Sequence, residues 1–90
     1  MRRVVVTGLG AISPCGMTAA SSWEAVVNKK SAVRPISRFD VSNWSVQYAA
    51  EIPNYVPGDH FERGQLKRLD RFAQYALIAS KEAIRDASIF

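Results

Sequence analysis

The chain opens on Val4-Val5-Val6-Thr7-Gly8-Leu9-Gly10, a run of β-branched residues that goes straight into a glycine turn. A strand this uniformly apolar offers no polar face to water and has to be buried on both sides. Residues 2–8 are therefore predicted to form a central strand of an α/β sheet. The rest of the chain supplies few strands to surround it. Val46 to Ile52 alternates apolar and polar residues in part and predicts a second strand, closed off by Pro53, Pro57 and Gly58. Two strands make only a marginal sheet. The mismatch predicts that these ninety residues are the N-terminal part of a longer α/β polypeptide.

Ser21-Ser22-Trp23-Glu24 matches a capping box and predicts a helix start, with Thr18 as the cap if the helix begins a turn earlier. Trp23, Val26 and Val27 recur at helical spacing, and the helix is expected to end near Lys29-Lys30. Residues 31–45 read as irregular, around Pro35 and the turn-like Phe39-Asp40-Val41-Ser42-Asn43. Gln65 to Ala87 reads as one uninterrupted helix of about six turns. Its middle, Phe72 to Ala79, is apolar nearly all the way round, which predicts burial inside a larger fold, while its charged ends stay wet.

Composition excludes several classes. With 48% apolar and 22% charged residues the chain is ordinary globular material, enough for one small domain and not for two. No apolar stretch approaches the length of a membrane span, and the opening apolar run stops too soon for a signal peptide. A single cysteine, Cys15, allows no intrachain disulfide and points to a reducing compartment, so a cytoplasmic protein is expected. The net charge of +4 invites an acidic partner or a phosphate.

Three features bear on chemistry. Gly8-Leu9-Gly10-Ala11-Ile12-Ser13 approaches a dinucleotide fingerprint, but Ser13 stands where the third glycine belongs, and tight strand-to-loop packing explains the glycines as well. Cys15 and His60 are the only nucleophile–base pair available. Nothing in the sequence brings them together, and one of each makes no zinc site, so neither metal nor cofactor is expected. The third feature is the basic cluster Arg63, Lys67, Arg68 and Arg71. On a continuous helix Arg63, Lys67 and Arg71 share a stripe, with Arg68 beside it. A solvated helix start accounts for such a cluster, yet cations at the positive end of a helix dipole carry a local cost that favours a functional reason. No aromatic residues interleave with them as stacking platforms, which argues against nucleic acid.

Val4-Val5-Val6-Thr7-Gly8-Leu9-Gly10-Ala11-Ile12-Ser13-Pro14 resembles the opening of the β-ketoacyl-acyl-carrier-protein synthases, the elongating condensing enzymes of fatty-acid synthesis. Ser22-Trp23-Glu24-Ala25, Ile36-Ser37-Arg38-Phe39-Asp40 and the stretch from Lys67 to Ala76 fit in the expected order. Phe39-Asp40 and Leu69-Asp70-Arg71-Phe72 look like the synthase II branch rather than synthase I. The resemblance covers the whole chain and about the first quarter of a family member.

The resemblance implies an N-terminal part of the thiolase-like fold, in which two similar βαβαβαββ halves stack as five alternating αβαβα layers. Residues 1–90 are then an incomplete domain, the start of the first half. It also implies an acyltransferase that performs decarboxylative Claisen condensation on substrates borne by acyl carrier protein, in a protein that is habitually a homodimer. The family's nucleophilic cysteine and two histidines come after residue 90, so no catalytic residue is expected here, and Cys15 and His60 match none of them. What carries over is the docking surface: Arg63, Lys67 and Arg68 fall where the family presents cations to the acidic carrier protein. Gly64 stands where many relatives have a lysine. A non-catalytic relative, such as a chain-length-factor subunit, remains the alternative.

Overall fold

Thr18 begins the first regular element. Its hydroxyl accepts the backbone N–H of Ser21 at 3.1 Å, and the Ser21 hydroxyl accepts the Thr18 N–H at 3.0 Å. This reciprocal cap starts α1 (Ala19–Val27) a turn before Ser21, so Ser21 acts inside the helix and not as its cap. The helix closes by a Schellman arrangement: Lys30 N–H donates to Ala25 O and Lys29 N–H to Val26 O. Lys29 takes the left-handed position, φ 56°, that glycine usually fills.

The computed structural model describes residues 2–89. After α1 come β1 (Arg34–Pro35), β2 (Tyr48–Ala49), a 3-10 turn at Pro57–Asp59, α2 (Arg63–Leu66) and α3 (Arg71–Ala87). β1 and β2 pair antiparallel, with Arg34 opposite Ala49 and Pro35 opposite Tyr48. The expected strand at 46–52 thus shrinks to its centre, and its partner lies in a stretch that reads as irregular, because Pro35 hides a pairing edge from sequence patterning. No helix among the described residues is long and apolar enough to cross a membrane.

Two expectations fail in the same informative way. Residues 2–8 form no ladder, since no other described segment lies alongside to exchange hydrogen bonds with them. The long helix is also not continuous: residues 67–70 interrupt it, and Asp70 is extended at ψ 165°. Of the apolar residues expected inside, Phe72 is 75% exposed and Val4 is 95% exposed.

The dimensions agree. The radius of gyration is 16.2 Å, where a self-contained domain of this length has about 12 Å. The accessible surface is 7520 Å², against about 5,200 Å² for a compact protein of this mass. Apolar faces are laid out here rather than closed on one another.

What holds the layout is α3. Gly8 and Gly10 lie directly on its backbone: a Cβ at Gly8 would collide with the Ala83 carbonyl oxygen, and one at Gly10 with that of Ala79. The segment runs antiparallel to the helix. Two carboxylates of α3 fasten it, Asp86 accepting Leu9 N–H at 3.0 Å and Glu82 accepting Ala11 N–H at 2.8 Å. Glu82 also accepts Ala19 N–H, at 3.0 Å to one oxygen and 3.2 Å to the other. One side chain thereby ties α3, the N-terminal segment and the start of α1 together, with its charge at the positive end of α1.

Candidate functional site

The basic cluster sits on the interruption between α2 and α3. Glu62 N–H donates to Gln65 Oε1 at 3.0 Å, which starts α2 at Arg63. Lys67 caps its C-terminal end, and Arg68 N–H reaches back to Gln65 O at 3.0 Å. Leu66 and Leu69 are half-buried, while Arg63, Lys67 and Arg68 are exposed. The three cations therefore stand in solvent, but on a short helix and a bend rather than along one helical stripe. Lys67 accordingly lies at the negative end of α2, where the helix dipole favours a cation. Gly64 is open, with nothing within 4 Å of a Cβ placed there.

Arg71 leaves the cluster. As the first residue of α3 it is half-buried; its guanidinium lies 4.9 Å from the centroid of the Tyr55 ring and donates to the Tyr75 hydroxyl at 3.3 Å. Beneath it Gln74, 6% exposed, accepts from the Tyr55 hydroxyl at 2.5 Å and donates to the Leu69 carbonyl at 2.9 Å. Burial pushes the Tyr55 hydroxyl above its ordinary pKa, and neighbouring Tyr75 adds to this, while Arg71 opposes it. The Tyr55 ring also packs edge-on to Tyr75 and stacks on His60. Sequence reading passed over Tyr55 and Gln74. The available signal was a lone glutamine in an otherwise apolar helical run, a polar residue that burial obliges to find partners.

The other candidates are placed by packing. Gly8 and Gly10 serve the close approach to α3, the packing role that competed with a nucleotide loop. Cys15 lies in a tight turn closed by reciprocal bonds between Ser13 and Gly16, its N–H on the Ser13 hydroxyl at 3.2 Å. His60 is exposed and stacked on Tyr55, and no hydrogen bond joins it to Cys15. Among the described residues no three His, Cys, Asp or Glu side chains come together as a metal site.

The course of the chain defines its class: a segment of a thiolase-like fold. It superposes with a TM-score of 0.87 on the solved ishigamide ketosynthase/chain length factor, at 35% identity, covering 99% of this chain and 22% of that one. Residues 1–89 match the model of the β-ketoacyl synthase N-terminal domain, and the chain belongs to that family. It is 39% identical over 88 residues to the 3-oxoacyl-[acyl-carrier-protein] synthase 2 of Staphylococcus aureus (strain COL), and 39% identical over 88 residues to that of Synechocystis sp.. In both pairs the alignment takes in 98% of this chain and 21% of the relative, so the chain spans about a fifth of the length of these curated relatives.

Proposed function

We propose that residues 1–90 begin the first of two thiolase-like halves in a cytoplasmic, homodimeric 3-oxoacyl-acyl-carrier-protein synthase II, and form an incomplete domain. The parent enzyme transfers an acyl chain to a cysteine thiolate outside this segment. Malonyl-carrier protein then loses carbon dioxide, and the resulting carbanion attacks the thioester carbonyl and expels the thiolate. This segment supplies no group to that chemistry. Its part is recognition: Arg63, Lys67 and Arg68 receive the acidic face of the acyl carrier protein that delivers the phosphopantetheine-linked substrates.

The observation that carries this reading is the exposure of all three cations on α2 and the bend that follows it, in a chain whose relatives are named for carrier-protein substrates. Charge at the rim of an interface acts mainly on association, and salt screens it over about 8 Å at physiological ionic strength. Replacing Lys67 and Arg68 by glutamate in the full-length enzyme is therefore expected to raise KM for acyl-carrier-protein substrates. Turnover of a pantetheine or coenzyme A thioester should change much less, and added salt should shrink the difference. Gly64→Lys should act in the opposite direction, since the site is open and the substitution adds a cation to the patch. Equal losses on carrier-borne and small thioesters would assign the cluster to the fold instead.

The likeness to a ketosynthase/chain length factor supports a second reading, a non-catalytic condensing-enzyme subunit with the same docking face. The presence or absence of the cysteine and two histidines beyond residue 90 decides between them.

A further inference from the structure

Residues 65–87 have the local sequence of a continuous helix, yet the chain breaks at 67–70, next to the two cations of the bend. Asp70 suits the N-cap position it takes at the end of the break, and a contact from elsewhere in the chain bridges the break as well. In an unbroken helix the Leu69 carbonyl would accept the N–H of Ala73. Here it accepts the Gln74 side-chain amide at 2.9 Å. The other end of that amide is held by the Tyr55 hydroxyl, which comes from a different part of the chain, and Arg71 covers the Tyr55 ring. Gln74 is the one polar residue that is buried among those described, and both ends of its side chain have a partner. A buried amide satisfied in this way specifies one geometry, because each alternative leaves a donor or acceptor unpaired.

We infer that the Tyr55–Gln74–Leu69 bridge is a positioning device: it keeps α2 and α3 apart and so sets where Lys67 and Arg68 are presented to a carrier protein. The inference rests on the docking reading above. Without the bridge the Leu69 carbonyl is free to rejoin the helical ladder, and the bend that carries the two cations rewinds. Gln74 and Tyr55 then act on carrier recognition through Lys67 and Arg68, touching no substrate themselves.

A double-mutant cycle in the full-length enzyme tests this. Gln74→Met keeps the length and helix propensity of the side chain and removes both hydrogen bonds; Tyr55→Phe removes one of them. Coupling through a shared network predicts that Gln74→Met raises KM for a carrier-borne substrate about three- to tenfold, and Tyr55→Phe by less. The kcat and KM for a pantetheine thioester should stay within about twofold under the same rule. On a Lys67→Ala/Arg68→Ala background, Gln74→Met should add almost nothing to the carrier KM. Independent, multiplying effects would overturn the inference, as would equal losses on both substrates, or carrier kinetics unmoved by either bridge variant. A Lys67→Ala/Arg68→Ala enzyme with unchanged carrier KM would instead overturn the docking reading, and this inference with it. Should Gln74→Met fail to fold, Tyr55→Phe runs the same cycle.

Discussion

The two halves of α3 hold their neighbours by opposite means. From Ala79 to Ala87 the helix grips backbone: glycines 8 and 10 lie on its carbonyls, and Glu82 and Asp86 take the amides of Leu9, Ala11 and Ala19. The side chains of that N-terminal segment are hardly used, and Val5 is still 68% exposed and Val6 79%. From Arg71 to Tyr75 the helix grips side chains instead, through a closed cluster with Tyr55 and His60. A backbone seam fixes where a segment lies while leaving its side chains exposed. A side-chain cluster completes itself locally and leaves the cations beside it facing water. One half of α3 holds a backbone segment whose side chains stay exposed, the other a self-contained side-chain cluster beside exposed cations.

The same substitution at two glycines gives the largest separation between these halves. Gly10→Ala places a Cβ against the Ala79 carbonyl oxygen and near Ala83 N, both rigid helix backbone, so the segment has to lift off α3. Overpacking of this kind typically costs about 1–3 kcal/mol, and immovable backbone puts this case at about 3 kcal/mol or above. Gly64→Ala meets nothing within 4 Å and is expected to be neutral or slightly stabilising, by less than about 1 kcal/mol, as alanine favours helix. Urea unfolding of the full-length protein measures both. Similar losses at the two positions would break the distinction between a close-packed seam and an open surface.

A smaller effect separates the two carboxylates of the seam. Glu82→Ala leaves Ala11 N–H and Ala19 N–H without their acceptor in a half-buried place. The expected loss is about 1–2 kcal/mol, since water reaches the site in part. Glu82→Gln keeps one acceptor oxygen and should recover some of it. Asp86→Ala exposes only the already accessible Leu9 N–H and should cost clearly less than Glu82→Ala. If Asp86→Ala proves the more damaging, the seam is held chiefly at its Leu9 end and Glu82 is not its centre.

The same division explains what was legible in the sequence. Four stretches in register identified the family; the two-sided burial expected of the all-apolar opening is not realised within these residues, where Val4 to Val6 stay exposed. The outward cations Arg63, Lys67 and Arg68 were also found. Elements that depend on a distant partner were not. Residues 2–8 have strand chemistry but no neighbour to pair with, and Arg34–Pro35 became a strand only because Tyr48–Ala49 lies beside it. Ser21 looked like a cap as good as Thr18, and the choice rests on a reciprocal bond that composition does not display. The break at 67–70 is the clearest case. Asp70 gives a local hint of a helix start there, but the amide of Gln74 that bridges the break is tied to Tyr55, nineteen residues away, a partner that local pattern does not show.

The smallest expected effect sharpens the side-chain half of the comparison. The Tyr55 hydroxyl donates to Gln74, and burial first, then Tyr75, raise its pKa above the ordinary 10.0. A raised value means that the folded protein keeps this proton after the unfolded chain has begun to lose it. Stability then falls with rising pH, because the unfolded state binds fewer protons. The contribution is fully present below pH 10.0 and is lost as pH rises through the folded-state value. Ionisation would also remove the donor that holds Gln74, leaving an anion where the carbonyl of Gln74 needs a proton. Tyr55→Phe takes this group out of the balance, so the unfolding free energy of the variant should decline less steeply than that of the parent between about pH 9 and about pH 11. Gly64→Ala, which touches none of these groups, should keep the parent slope. Parallel declines for parent and Tyr55→Phe would mean that Tyr55 titrates alike in both states and that the cluster at the start of α3 is as wet as the surface around it.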